Sequence, residues 1–286
     1  MIRMNFKSLN FYKNKHIFFL APSVIGIIIF VLIPFIDSVR RSFFSSGAGK
    51  FVGLKNYAVT IKNDAFVLAV KNTCLFTVVC IPLLIVISFL ISYILSKRKY
   101  IRLLKSTLLF PMAVPTAVLV AVWKILFSDG GYVNSFITES GHETVGFLTT
   151  SKVFWLLVGS YIWKNLGYTV LLWMTGIMGV SVSVIEAARI DGANDREILF
   201  HIIIPDLKPT FYTISIISFL NSFKVFREAY LVAGAYPNDR IYLLQHLFNN
   251  WFLKLDLDKM AAAAVIVFSV IFAAIVLLQK AWDKED

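Results

Sequence analysis

The sequence predicts an all-α fold, a polytopic membrane helical bundle with six transmembrane helices. Three observations lead there. The 286 residues are 58% hydrophobic and only 16% charged, with a mean hydropathy of +0.75, far from the mixture a water-soluble domain carries. The apolar residues gather into six runs, each near the roughly 20 residues a helix needs to cross about 30 Å of hydrocarbon. The runs are solid, whereas a transmembrane barrel shows short alternating segments.

Taken in order, the runs are 17–36, 73–95, 107–127, 153–180, 211–233 and 260–278. The first, second and sixth hold no charged residue; the fourth holds Lys164, and the fifth holds Lys224, Arg227 and Glu228. The first follows a basic arm as a signal peptide would, but it is long and lacks a clear small-residue cleavage site, so it reads as retained. Cys74 and Cys80 lie within one apolar run, which suggests packing residues and neither a disulfide framework nor a metal site.

Basic residues set the expected orientation. Lys97, Arg98, Lys99, Arg102 and Lys105 crowd the connection between the second and third runs, and Arg3, Lys7, Lys13 and Lys15 mark the N-terminal arm. Both segments belong in the cytoplasm. Six spans then return the C-terminal end to the cytoplasm and place 181–210 there too. Arg40, Arg41, Lys50, Lys55 and Lys62 fall on the outer side and oppose the bias, but the tight cluster at 97–105 decides. The net charge of +11 is spread along the loops, where orientation and anionic headgroups account for it better than nucleic acid does.

Between the fourth and fifth runs lies a polar island, "EAARIDGANDREILFHIIIPDLKP" at 186–209, with eight charged residues. Glu186, Ala187, Ala188 and Arg189 extend the fourth helix, and Gly192 ends or bends it. Asn194 with Glu197 three positions on has the form of a capping box that opens a second helix. That helix is expected to run to about Ile204, because Pro205 and Pro209 follow. Ile198, Leu199, Ile202 and Ile203 give it an apolar face, which must lie on the membrane, on the protein's own helix ends, or on a partner.

The pattern Glu186-Ala187-Ala188, Asp191-Gly192-Ala193, then Phe200, Ile203, Pro205, Leu207 and Pro209 resembles the EAA loop of permease subunits of binding-protein-dependent ABC importers. "FVGLKNY" at 51–57, "LLFPMAVPTAVLVAVWKILFSDGGYVN" at 108–134 and "NSFKVF" at 221–226 are similar to the carbohydrate branch, the relatives of maltose and sn-glycerol-3-phosphate permeases, in a compact six-span form. Coverage runs from about residue 15 to 282. The resemblance implies the ABC importer permease fold at 17–282 behind a cytoplasmic arm at 1–16, with a cytoplasmic coupling helix. It also implies a bacterial plasma membrane location, a second homologous permease as heterodimer partner, two ATP-binding subunits that hold ATP and magnesium, an extracytoplasmic solute-binding protein and a carbohydrate, an oligosaccharide, as substrate. No nucleic acid is implied. The named loop residues would couple the ATPase to the spans.

No chemistry of the chain's own is legible. "SGAGKF" at 46–51 lacks the first glycine and the hydroxyl residue of a phosphate-cradling loop. His16, His142, His201 and His246 show no paired spacing. The chain is therefore expected to carry no cofactor and to catalyse nothing. Polar groups inside the spans are the candidates for a substrate path: Trp163, Asn165 and Tyr168 in the fourth, Asn221 and Lys224 in the fifth. Lys164 and Arg227 admit a second account, at helix ends or snorkelling outward. A glycerol-phosphate or polyol permease would favour Lys and Arg facing the path. An ion-coupled secondary transporter would need no ATPase, and a membrane enzyme would show an acid/base pair.

Overall fold

The computed structural model describes residues 15–45, 47, 49–96 and 101–283. The arm at 1–14 and the basic residues Lys97, Arg98 and Lys99 lie outside the described residues, as do the side chains of Arg102 and Lys105. Among the described residues every regular element is helical, apart from one isolated antiparallel bridge between Phe44 and Phe51.

The described residues divide into two compact units, one made of 15–63 and 251–283 and the other running from Asp64 to Asn250. In the first, α1 (15–42) and α13 (Leu257–Asp283) pack together, with Phe35 and Phe268 ring centroids 4.6 Å apart. The short α2 (Lys55–Ile61) begins in the "FVGLKNY" segment. There Asn56 Nδ2 donates to the carbonyls of Ser42 and Phe44 at 3.0 and 2.9 Å, tying this segment to the end of α1.

The second unit runs through α3 (Asp64–Ser96), α4 (Ile101–Ala113), α5 (Thr116–Phe127), α6 (Tyr132–Glu139), α7 (Val153–Gly179), α8 (Val182–Ile190), α9 (195–206), α10 (Lys208–Ser222), α11 (Phe226–Ala233) and most of α12 (Leu244–Leu253). Helices α3 and α7 form its spine. Phe76, Cys80 and Leu84 of α3 are buried in one cluster with Phe154, Leu157, Val158 and Tyr161 of α7. Helix α4 approaches α7 closely because Gly167 has no side chain: a Cβ there would fall on the Leu108 carbonyl.

Two of the six expected runs are interrupted. Phe19–Ser42, Asp64–Ser96, Thr116–Glu139 and Leu257–Leu277 are each long and apolar enough to cross a membrane, and α7 with α8, bent by 62°, makes a fifth candidate. The run at 107–127 is cut at Val114–Pro115, since Pro115 disfavours helix at the residue before it and opens α5 as its N-cap. The run at 211–233 is cut by a 3₁₀ turn at Phe223–Val225. Both breaks bring polar groups to one place, described below.

Prolines inside rods are absorbed differently. Ile28–Leu32 and Leu199–Ile203 are π-helical turns, each ending one residue before the residue that precedes a proline, Pro34 or Pro205. Proline lacks an N–H and its ring meets the carbonyl four residues back; one extra residue in the turn moves that carbonyl aside. Helix α9 therefore continues to Asp206, past the expected end at Ile204.

Helix α11 is held from the side by His246 of α12. Its ring lies 4.8 Å from that of Phe226 and 5.7 Å from that of Tyr242, and the Leu243 N–H donates to Nδ1 at 3.1 Å, which leaves the proton on Nε2. Burial pushes the imidazole down from 6.5 to about 4.

Two outcomes follow from this packing. Gly167→Ala is expected to destabilise by about 1–3 kcal/mol through overpacking, whereas Gly159→Ala on the same helix, where a Cβ meets nothing within 4 Å, leaves the melting temperature in detergent unchanged or raised. For His246, the unfolded ring takes up a proton below about 6.5 while the folded ring stays neutral to about 4. Stability is thus lost as pH falls through that window, by about 3 kcal/mol in all. Melting curves from pH 7 to 4 should show this slope in the parent and not in His246→Gln; equal slopes would contradict it.

Candidate functional site

The polar island folds as two helices joined by a turn with caps on both sides. At the end of α8 the Ala193 N–H donates to the Ala188 carbonyl at 2.9 Å and the Gly192 N–H to that of Arg189 at 3.1 Å. This is a Schellman motif with Gly192 as its left-handed residue, φ 91°. One residue on, Asn194 Oδ1 accepts from the N–H groups of Arg196 and Glu197, both at 3.0 Å, and Glu197 Oε2 accepts from the Asn194 N–H at 2.8 Å. The expected capping box is present. With both helix ends satisfied internally, the turn has no loose backbone to flex.

The apolar face of α9 does not stand free. Ile198, Ile203 and Leu207 are buried in one cluster with Trp173, Val180 and Ile214, and Ala188, Ala193, Leu199 and Ile202 pack partly against it. Of the loop residues singled out by sequence, Ile203 and Leu207 therefore hold the loop onto α7 and α10 and are unavailable to a partner. Glu186, Ala187, Asp191, Gly192, Pro205 and Pro209 are exposed. So are Ile190, 86% exposed, and Phe200, 55% exposed, large apolar side chains that the loop's own packing leaves uncovered. The Arg189–Asp195 pair spans the turn at 3.5 Å but is mostly solvated, and adds little.

Higher on α7 a polar cavity of about 170 Å³ is lined by Met112, Tyr161, Lys164, Asn165, Asn221, Lys224, Val225 and Glu228. Its anchor is an ion pair: Lys164 Nζ donates to Glu228 Oε1 at 2.9 Å and to Thr116 Oγ1 at 3.0 Å, with the two side chains 21% and 6% exposed. The helix break at Pro115 puts Thr116 in the first turn of α5, within reach of this pair. Beside it Asn221 Nδ2 donates to Asn165 Oδ1 at 3.0 Å, and Lys224 Nζ, on the 3₁₀ turn, donates to Asn221 Oδ1 at 2.8 Å. Lys164 is thus mid-helix and paired, so the helix-end account fails for it; Arg227 is exposed.

Asn165, Asn221 and Lys224 line one cavity; Trp163 and Tyr168 do not. Positions 163 and 165 are about 200° apart around a helix, and Trp163 faces a separate apolar cavity with Leu119, Trp123, Phe127 and Trp155. Tyr168 is half-buried and outside the lining. Glu228, Lys164, Tyr161 and Thr116 are site residues that sequence reasoning left out of the path. A signal existed: Glu228 is the one carboxylate in the six apolar runs, and 161, 164, 165 and 221, 224, 225, 228 are single helical stripes.

A larger cavity, about 290 Å³, lies between α3, α7 and the start of α10, lined by Ile85, Phe89, Trp173, Leu207 and Phe211 among others. Its apolar walls offer hydroxyl groups no partners, so the smaller polar cavity is the better substrate candidate.

Residues 85–285 match the family of binding-protein-dependent transport system inner membrane components. Over 273 residues, 93% of each chain, the protein is 30% identical to the probable starch degradation products transport system permease protein AmyD of Thermoanaerobacterium thermosulfurigenes. It is 28% identical to the arabinooligosaccharides transport system permease protein AraP of Bacillus subtilis, over 91% of this chain and 87% of that one. The fold matches a chain of a bacterial ABC transporter involved in the import of the acidic polysaccharide alginate, with a TM-score of 0.80 at 20% identity over 98% of this chain and 99% of the other. With 201 of its 286 residues inside the family match, and a permease bundle around the site just described, the chain belongs to the binding-protein-dependent transport system inner membrane component family.

Proposed function

We propose that the chain is one permease subunit of an ATP-driven carbohydrate importer, with an oligosaccharide as substrate. It pairs with a second, similar permease, and the two share the path. Two ATP-binding subunits with ATP and magnesium dock beneath them, and a solute-binding protein delivers from outside. The chain itself is non-catalytic. Both termini and the 186–209 loop face the cytoplasm of a bacterial cell, and the permease domain takes in 17–282.

The observation that carries this reading is the twice-capped turn at Gly192 with Ile190 and Phe200 turned outward from a loop otherwise fixed to the spans. An outward apolar pair on a stiff knob suits a cleft in a partner, with Glu186 and Asp191 guiding approach. The small polar cavity agrees: about 170 Å³ is below the ~300–1,000 Å³ of a complete small-molecule site, as a half-site shared between two permeases would be. The names of the carbohydrate-importing relatives support the substrate class. A loaded binding protein would shift the pair between inward and outward access, and the loop would pass closure of the ATPase dimer to α7 and α10.

The test is ATP hydrolysis by the reconstituted complex with and without loaded binding protein, beside a pull-down of the ATPase. Gly192→Val meets no neighbour within 4 Å at its Cβ, so the cost falls first on the backbone, where left-handed φ costs about 1–2 kcal/mol for a residue with a side chain. It and Glu186→Lys are expected to abolish stimulation, or reduce it about tenfold, while the permease still inserts. Normal stimulation and normal pull-down in both would sink the coupling role.

A further inference from the structure

Five bases, Arg40, Arg41, Lys50, Lys55 and Lys62, fall between residues 37 and 62 against one acid, Asp37. They oppose the charge bias that set the expected orientation, and neither the polar cavity nor the 186–209 loop uses them. Near the far end of α2, where the Thr60 hydroxyl donates to the Lys259 carbonyl at 3.4 Å, Asp256 and Asp258 are matched in number by Lys254 and Lys259. The positive excess around the end of α1 is therefore not cancelled from α13.

Two of the five bases line a hollow. Arg40 and Arg41 stand in the last turn of α1, where one Asp37 carboxylate engages both guanidiniums: Arg40 Nη2 donates to Oδ1 at 3.2 Å and Arg41 Nε to Oδ2 at 2.6 Å. The Arg40 guanidinium lies over the Phe44 ring, 5.9 Å from its centroid. After Phe44 the chain turns back, with the Ser45 N–H donating to the Lys50 carbonyl and the Gly49 N–H to that of Ser45, both at 2.9 Å. The hollow measures about 190 Å³ and is lined, among the described residues, by Arg40, Arg41, Phe44, Ser45 and Gly49. Two guanidiniums against one carboxylate leave one positive charge there, the complement of a phosphodiester, and the guanidinium fork matches phosphate oxygens in pairs.

The same side of α1 is apolar one and two turns earlier. Ile33, Ile36, Asp37, Arg40 and Arg41 share a face at helical spacing, and Ile33 and Ile36 are 55% and 57% exposed. Phe19–Ser42 is long and apolar enough to cross a membrane, which sets the isoleucines at hydrocarbon depth and the arginines at its edge. In the segment that follows, exposed Phe51 and Leu54 stand next to exposed Lys50 and Lys55, a mixture that suits a membrane surface. An acidic protein surface would meet the charges and have no use for the isoleucines. A phospholipid has both parts in that order, an anion and then hydrocarbon.

We infer that the end of α1 binds an anionic glycerophospholipid. Arg40 and Arg41 hold its phosphodiester in the hollow, and an acyl chain lies along Ile33 and Ile36. Lys50 and Lys55 favour a headgroup with no cation of its own, as in phosphatidylglycerol, over one with a quaternary ammonium. Asp37 is a positioning residue that sets the two guanidiniums side by side.

The test titrates the full chain, in a neutral detergent, with phosphatidylglycerol or phosphatidylcholine of the same acyl chains. Native mass spectrometry counts bound lipid, and the melting temperature is the second readout. Phosphatidylglycerol is expected to bind about thirtyfold more tightly, the worth of two basic contacts, less so in high salt, and to raise the melting temperature. Arg40→Gln with Arg41→Gln should remove that preference, and Arg40→Lys with Arg41→Lys should retain it in part. Lys124→Gln with Lys152→Gln, at two exposed bases elsewhere, should leave it unchanged. Glycerol phosphate, which has no acyl chain, should not displace the lipid. Equal binding of the two lipids, or a preference that survives Arg40→Gln with Arg41→Gln, would overturn the inference. Displacement by an equal concentration of glycerol phosphate would assign the hollow to a free phosphate and overturn the lipid. Capture of the solute-binding protein lost in the same double variant, with no lipid preference in the parent, would assign the surface to an acidic protein instead.

Discussion

The packing of Ile198, Ile203 and Leu207 against Trp173, Val180 and Ile214 is the contact on which the rest of this structure depends. It joins a short helix to two long ones. Without it, α9 would be an amphipathic segment attached through a glycine, free to lie on any apolar surface. With it, a displacement of α9 must move α7 or α10, because packed interiors shift as blocks and do not deform continuously. Lys164 and Asn165 ride on α7, and Asn221 sits near the end of α10. The same two helices thus carry the loop at one end and the polar cavity further along.

Broken helices make the cavity possible. A polar or charged group at membrane depth is tolerated where it faces a partner or a water-filled space, and each interruption here supplies such a face. Pro115 starts α5 with Thr116 turned to Lys164 and Glu228. The 3₁₀ turn at Phe223–Val225 sets Lys224 beside Asn221. The ion pair between α7 and α11 holds these breaks in register, and a buried charge left without its partner would cost about 3–5 kcal/mol. His246, packed on Phe226, steadies α11 from the other side.

The membrane class, the helical fold and the two caps around Gly192 were legible in the sequence, because each depends on local chemistry: an apolar run, Asn194 three before Glu197, a glycine after alanines. The helix breaks were only half legible. Pro115 was visible, but its effect competes with about twenty apolar residues that favour one span. The end of α9 was misplaced because a π turn lets a rod pass Pro205, and nothing in residue type announces such a turn. The site divided in the same way. Asn165, Asn221 and Lys224 were found as polar groups in apolar runs, and Trp163 was grouped with them by proximity along the chain when helix geometry sends it to another face. Ile203 and Leu207 looked like partner contacts because an apolar stripe does not say what covers it; only the fold shows them turned inward.

Ile190 and Phe200, the most exposed large apolar side chains of the 186–209 loop, bear the central claim that this loop meets a nucleotide-hydrolysing subunit. The most direct measurement places a photoreactive benzoylphenylalanine at Phe200, with the same residue at buried Ile203 as the control, in the assembled complex in membranes. The account predicts that illumination joins position 200 to the ATP-binding subunit, in a yield that changes with nucleotide, and leaves position 203 linked within its own chain. Adducts at position 200 to lipid alone, with the ATP-binding subunit present and active, would contradict it.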